Sequence, residues 1–293
     1  MIIDIHVHPQ FVEPRQGDMP PQSDSKKLDI VADPRQLPVA VGLTSQHYYQ
    51  RNHVMLPLPG FMSQMDEAGI DKVVLVNPAV KGIPVRPMNE GVAELLIKYP
   101  ERLIGFAGFD PNTGTQAVDE IEYAVRELGF SGVKAVGSVL ELDINDRALY
   151  PCYEKAQELG VPILIHTGSV IVKGARVKHV HPLMVDDVAF DFPDLKIICA
   201  HLGGWQYLDA ISMLVHHRNV FADVSFWPLH PLYSNLVPWS LLEQTVPDKI
   251  LLGSDYPAGQ TPKEAVEAVK KLPVSQSFKE KILGNNAATI LGL

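Results

Sequence analysis

From residue 71 onward the chain repeats one unit: a short β-branched run, a loop, then a longer stretch with helical periodicity. The runs are DKVVLVN (71–77), RLIGFAGFD (102–110), SGVKAV (131–136), VPILIHTG (161–168), LKIICAH (195–201), NVFADVSF (219–226) and DKILLGSD (248–255). With IIDIHV at the start they number eight. The intervening segments, such as GTQAVDEIEYAVRELG and PKEAVEAVKKL, carry apolar residues at helical spacing, and several end in Gly before the next run (EAGI, ELGF, ELGV). Alternating strands and helices imply parallel strands with right-handed crossovers. Eight units over about 250 residues match a (β/α)8 TIM barrel. An open doubly wound sheet would typically carry a Gly-rich phosphate turn after its first strand. Here that strand runs into HVHPQFVEPR, with no GxGxxG. The α/β barrel is therefore the expected fold, as one domain over residues 1–293.

One connection is too long for the pattern. Between His8 and Asp71 there is one helix candidate, PGFMSQMDEAG, preceded by about fifty residues rich in Pro, Gln, Asp and Arg. Long irregular insertions are commonly functional. This one follows strand 1 and so belongs at the C-terminal mouth of the barrel. Residues 9–59 are expected to form an active-site lid. The tail SFKEKILGNNAATILGL reads as a final capping helix.

The barrel gives the first strand its meaning. Ile3, Ile5 and Val7 alternate with Asp4, His6 and His8. The apolar set suits the helix layer and the polar set would point inward, where unpaired polar groups cost a few kcal/mol each. Other strands end in polar residues at the same mouth: Lys134 on strand 4, His166 on strand 5, His201 on strand 6 and Asp255 on strand 8. His6, His8, His166 and Asp255 make three imidazoles and a carboxylate. That donor set suits Zn²⁺, with Mn²⁺ and Fe²⁺ as further fits. Asp4, one layer deeper, reads as a structural partner of these ligands. His230, after strand 7, is placed to reach the pocket. The segment FWPLHPLYSNLVPW is read as a pocket wall, an interface or an ordinary loop–helix segment. His216 and His217 fall late in a helix, and Cys199 falls in an apolar run as an inert core residue.

Composition narrows the partners. A net charge of −9 argues against nucleic acid or an anionic membrane surface. No run of about 20 apolar residues is present to span a bilayer. Two cysteines without CxxC spacing make no disulfide framework or zinc motif. With no evident secretory signal, the cytoplasm is the expected compartment.

HxH on strand 1, HTG at strand 5, HLGG at strand 6 and SDYP at strand 8 together resemble the amidohydrolase superfamily. The closest branch is amidohydrolase-2, which includes aminocarboxymuconate semialdehyde decarboxylase and the resorcylate, carboxyvanillate and iso-orotate decarboxylases. The resemblance implies a distorted (β/α)8 barrel holding one divalent metal, most simply zinc, with manganese as the alternative. It makes His6, His8, His166 and Asp255 the ligands, with His201, assisted by Asp255, as the catalytic pair. Lys134 becomes a carbamylated, substrate-binding or structural lysine, and Arg51 a counterpart of the branch's carboxylate-binding arginines. It also implies a homodimer. Two reactions fit: hydrolysis of a small carboxylate, lactone or amide by metal-activated water, placed first, and non-oxidative decarboxylation of an aromatic or unsaturated acid. A barrel that binds a metal or ligand without turnover is the remaining reading.

Overall fold

The computed structural model describes residues 1–9, 58–79, 83–170, 175–231 and 233–293. Most of the expected lid, including Arg51, His47 and His53, lies outside the described residues. Among those described, eight parallel strands run in sequence order: β1 (Ile3–Val7), β2 (Lys72–Val76), β3 (Leu103–Gly108), β4 (Gly132–Ala135), β5 (Ile163–Ile165), β6 (Ile197–Cys199), β7 (Val220–Asp223) and β8 (Ile250–Leu251). The sheet closes on itself through Ile5 N to Leu252 O (2.9 Å), Asp255 N to His6 O (2.8 Å) and His8 N to Tyr256 O (2.8 Å). The result is a distorted (β/α)8 barrel with a long insertion after β1.

Among the described residues, the helices that cover it include α1 (Leu58–Ala68), α2 (Val85–Lys98), α3 (Thr115–Arg126), α4 (Tyr150–Glu158), α5 (Val185–Asp191), α6 (Tyr207–His216), α7 (Trp239–Thr245) and α8 (Pro262–Lys270). Each longer helix buries one stripe, as α1 does with Leu58, Phe61, Met65 and Ala68. These stripes meet the outward residues of the strands. On β2, Val73 and Leu75 join the outer cluster while Val74 and Val76 join an inner one with Phe106, Leu164, Ile198 and Leu251. Burying each such side chain contributes about 1.5–3 kcal/mol relative to exposure. Residues 276–291 form a nearly continuous helical run, and its Ala287 and Ile290 add to the inner cluster. The helix candidate before β2, the helix ending at His216 and the final helical run match the sequence expectation. No described helix is long and apolar enough to cross a membrane.

The first strand departs from simple alternation. Ile3 and Ile5 lie in the inner cluster, not against the helices, and only Val7 joins the outer one. The cause is a register shift: Asp4 pairs with Val73 but Val7 pairs with Leu75, three residues against two. A bulge of this kind resets which side chains face in. It lets Ile5 fill the lower barrel while His6, one residue on, still turns inward to the mouth. Asp4 takes the other face, level with Val73. Its Oδ1 accepts from His6 N (3.1 Å) and Ser254 N (2.9 Å), so it ties β1 to the chain after β8. Burial pushes its carboxyl up to about 7.

A buried polar strut sets α2 and α3 against the strand ends. Asn89 on α2 accepts from Asn77 Nδ2 (2.7 Å) and Gly108 N (3.1 Å), and donates to Gly108 O (3.0 Å) and Glu120 Oε1 (2.9 Å). Arg86 Nε closes the strut on Glu120 Oε2 (2.8 Å). Cys152 and Cys199 are buried, and burial pushes both thiols up to about 12, so both are inert core residues.

Candidate metal centre

The strand ends converge on His6. It is fully buried on β1, and its Nδ1 lies 3.0 Å from Asp223 Oδ2 at the end of β7. Asp223 is ionised: burial would raise it, but His6, His201 and Ser225 hold it well below the usual carboxylate range. An ionised carboxylate only accepts, so His6 Nδ1 carries the proton and Nε2 keeps its lone pair. Burial, reinforced by the neighbouring Lys134 charge, lowers His6 to about 4 and keeps the ring neutral. The lone pair faces Lys134 Nζ (3.2 Å) and Asp255 Oδ1 (3.4 Å). His8 Nε2 reaches the same Asp255 oxygen at 3.1 Å. His6, His8 and Asp255 thus bring one donor atom each to within 4.8 Å of one another.

Asp255 is aimed by its backbone. It sits at φ 57, a left-handed conformation uncommon for a non-glycine residue, and is locked there by Asp255 N to His6 O and Gly259 N to Asp255 O (2.6 Å). Burial opposes its ionisation, but the adjoining imidazoles hold its carboxyl well below the usual range.

His201 stands beside this group, its ring stacked on His6 at 5.1 Å. The HLGG segment coils left-handed, with φ 58 at His201, 47 at Leu202, 74 at Gly203 and 60 at Gly204. A Cβ at Gly168, the glycine of HTG, would meet Gly203 O at 2.1 Å. The glycines of the two motifs therefore bring backbone onto backbone and set His166 and His201 side by side. Asp223 Oδ1 accepts from His201 N (3.0 Å), Ser225 N (2.9 Å) and the Ser225 hydroxyl. With its proton on Asp223, Ser225 Oγ must accept from His201 Nδ1 (2.8 Å), which leaves His201 Nε2 as the basic nitrogen.

His166 is placed differently from the three converging donors. It lies between two acceptors, His201 Nε2 (3.3 Å from its Nδ1) and Ser169 O (3.0 Å from its Nε2). Its pKa is lowered well below the ordinary imidazole range by burial and by His201, so the ring has one N–H for two acceptors. A cation would relieve that junction. Several donors meet, at least two of them neutral imidazoles that each keep a lone pair on one nitrogen and one an ionised carboxylate. That is the donor chemistry a divalent ion requires.

Lys134 is buried on β4, and burial lowers its ammonium to about 8 against the pull of Asp223 and Asp255. It donates to the same His6 lone pair a metal would use. His230 is half-buried beside Tyr233 (5.1 Å between rings), in an aromatic cluster with Trp227 and Trp205 that reaches His201 through Phe226. Asp223 and Ser225 go beyond the sequence expectation. Their signal was the same as for the others, polar residues closing an apolar strand run in NVFADVSF.

A model of the family described as amidohydrolase matches residues 3–293. The chain belongs to this family. It is an amidohydrolase-superfamily enzyme of hydrolase or carboxy-lyase type, with a metal-binding barrel site. Its relatives include the γ-resorcylate decarboxylase of Rhodococcus jostii (strain RHA1), 25% identical over 286 residues, covering 78% of this chain and 85% of that protein. The 2-amino-3-carboxymuconate-6-semialdehyde decarboxylase of Dictyostelium discoideum is 24% identical over 238 residues, covering 70% of this amidohydrolase and 66% of the relative. Among solved structures, the dihydroxybenzoic acid decarboxylase of Polaromonas sp. JS666, with bound manganese and the inhibitor 2-nitroresorcinol, has the same fold. Its TM-score is 0.69 at 20% identity, covering 100% of this chain and 97% of that one.

Proposed function

We propose that this amidohydrolase is a metal-dependent, non-oxidative decarboxylase of a small aromatic or unsaturated carboxylic acid. Decarboxylation replaces hydrolysis as the first reading because the decarboxylase relatives match along most of the chain. The observation that carries the chemistry is the anchored imidazole: His201 is held by Ser225 and Asp223, its ring stacked on His6 and its basic Nε2 3.3 Å from His166 Nδ1.

In this reading His6, His8 and Asp255, with His166 as the fourth donor, hold one divalent ion. The donor set suits manganese or zinc. When bound, the ion supplies positive charge that holds the substrate carboxylate or a neighbouring oxygen. The chain's own residues do the rest. Lys134 adds a second positive charge at the floor of the site and offsets the anionic substrate. His201 rests neutral, since burial lowers its pKa against Asp255 and Asp223. An arriving carboxylate favours its protonated form, and His201 then gives that proton to the carbon bearing the carboxylate. The C–C bond breaks, its electron pair stays with the protonated carbon, and CO₂ leaves. Asp255, held ionised, is an acceptor and ligand; His201 is the proton donor. In this reading residues 1–293 make one domain.

The test is CO₂ release by manganese- or zinc-loaded protein from a panel of hydroxybenzoates and unsaturated dicarboxylates. Release that disappears in His201→Ala supports decarboxylation. Turnover of lactones or amides without CO₂ would return the hydrolase reading.

A further inference from the structure

The loop after β7 holds a feature that the metal chemistry leaves unused. Phe226 sits at φ 64, where a bulky residue is a true outlier. Strain of that kind persists only when the surroundings hold it. Here the holder is Gln260, in the loop after β8. Its Nε2 donates to Phe226 O (2.7 Å) and its Oε1 accepts from Phe226 N (3.1 Å). Both backbone groups of one residue are thus matched by one side-chain amide. Gln260 is itself anchored by its own N–H to Ser254 O (2.9 Å). The clasp therefore joins the two strand ends that carry Asp223 and Asp255.

The forced conformation has a direction. It sets the Phe226 ring edge-on to His201, with centroids 6.2 Å apart and planes at 68°. On its other side Phe226 meets Trp227 at 4.7 Å and 89°, and Trp227 meets Trp205 at 5.0 Å. Phe226 is 9% exposed and Trp205 is 43% exposed, so the rings run from the buried imidazole outward. In the reaction proposed above the substrate carbon lies at His201, so an aromatic ring in contact with that imidazole is placed to meet it. Planar π-systems gain from such a partner in a way that puckered rings do not.

We propose that Phe226, held in its left-handed conformation by Gln260, is the specificity residue that selects planar, conjugated carboxylates over saturated ones. Gln260 acts as its positioning residue. This rests on the decarboxylase reading for the substrate's carboxylate but makes its own claim about the substrate's shape.

The probes are benzoate and cyclohexanecarboxylate, which share charge and size and differ in planarity. Binding to the metal-loaded protein is read by intrinsic fluorescence, for which Trp227 and Trp205 are the nearby reporters. The unaltered protein is expected to favour benzoate by several-fold to about tenfold, the range an aromatic ring pair contributes. Phe226→Gly removes the ring while suiting the positive φ, and should abolish the preference with cyclohexanecarboxylate affinity unchanged. Gln260→Leu should reduce the preference while cyclohexanecarboxylate still binds, an outcome that a general loss of structure would not give. Equal binding of the two probes, binding of neither, or a preference that survives both substitutions overturns the proposal. CO₂ release is scored separately. Its absence alongside an intact, Phe226-dependent preference counts against decarboxylation and leaves the role of Phe226 standing.

Discussion

Replacing Asp223 by Asn keeps the side chain's shape and removes one acceptor oxygen. The parent carboxylate accepts from four donors: His6 Nδ1 on Oδ2, and His201 N, Ser225 N and Ser225 Oγ on Oδ1. Asn has one oxygen and one NH₂ group. Two of the three donors at Oδ1 are backbone N–H groups that cannot change role, so the Asn oxygen must face them. Its NH₂ then faces His6 and donates to Nδ1. The His6 proton moves to Nε2, and the lone pair that faces Lys134 and Asp255 is lost. Second partners of metal-ligating histidines are worth about 10–100-fold in metal affinity, or roughly 1.4–2.7 kcal/mol. A hydrogen bond to a charged group contributes about 1.5–3 kcal/mol, so the two scales agree. Manganese affinity, measured by competition with a fluorescent chelator, should therefore weaken at least tenfold in Asp223→Asn. Denaturant midpoints in excess chelator separate this from a folding defect. A variant that is folded and binds manganese within twofold of the parent would refute the tautomer assignment.

Further outcomes follow from other contacts. His201→Ala should lower turnover at least 100-fold, the lower range for a positioned proton donor, with metal content unchanged by elemental analysis; loss of the metal instead would make His201 a ligand. Gly168→Ala puts a Cβ 2.1 Å from Gly203 O at φ +82, and should cost about 2–4 kcal/mol in urea unfolding; a change under 1 kcal/mol would show that the two motifs are free to separate. Asp4 is raised from 3.8 to about 7, so the native state binds its proton more tightly than the unfolded chain does. The penalty is absent below pH 4 and complete above pH 7. Asp4→Asn should thus gain on the parent by about 4 kcal/mol as pH rises from 4 to 8, at 1.36 kcal/mol per unit; parallel stability curves for the two proteins would contradict this.

The barrel was legible because its signal is repeated: each β-branched run needs two covered faces, and each helical stripe supplies one. The mouth residues followed from topology alone, since parallel strands deliver their C-terminal residues to one end. What the sequence does not carry is local. The perfect alternation IDIHVH predicts three inward polar groups, but β1, with its register shift against β2, has Ile5 inward and Asp4 on the other face. Nothing in the residues marks that bulge, because its cause lies in pairing partners on a strand far along the chain. Orientation within a ring is equally hidden. The chain says that His166 ends β5, while its nitrogens answer to Ser169 O and His201. Asp223 was readable by the same rule as Asp255, but it lies in a run whose aromatic and β-branched residues draw attention to packing. Phe226 illustrates the rest: its role depends on a glutamine 34 positions on.

The barrel's closure places the site on its most distant join. His8 and Asp255 are 247 residues apart and meet where β1 lies against the end of β8. A cation held there from both sides would act as a buckle as well as a reagent. Because its donors come together only in the folded barrel, such a cation would stabilise it by mass action, by about 2.7 kcal/mol at a free concentration a hundredfold above its Kd. The donors do not assemble until the last strand has docked on the first. Loading with metal is then a late event that reports a finished barrel, and stripping it should loosen β1 and β8 before any other pair.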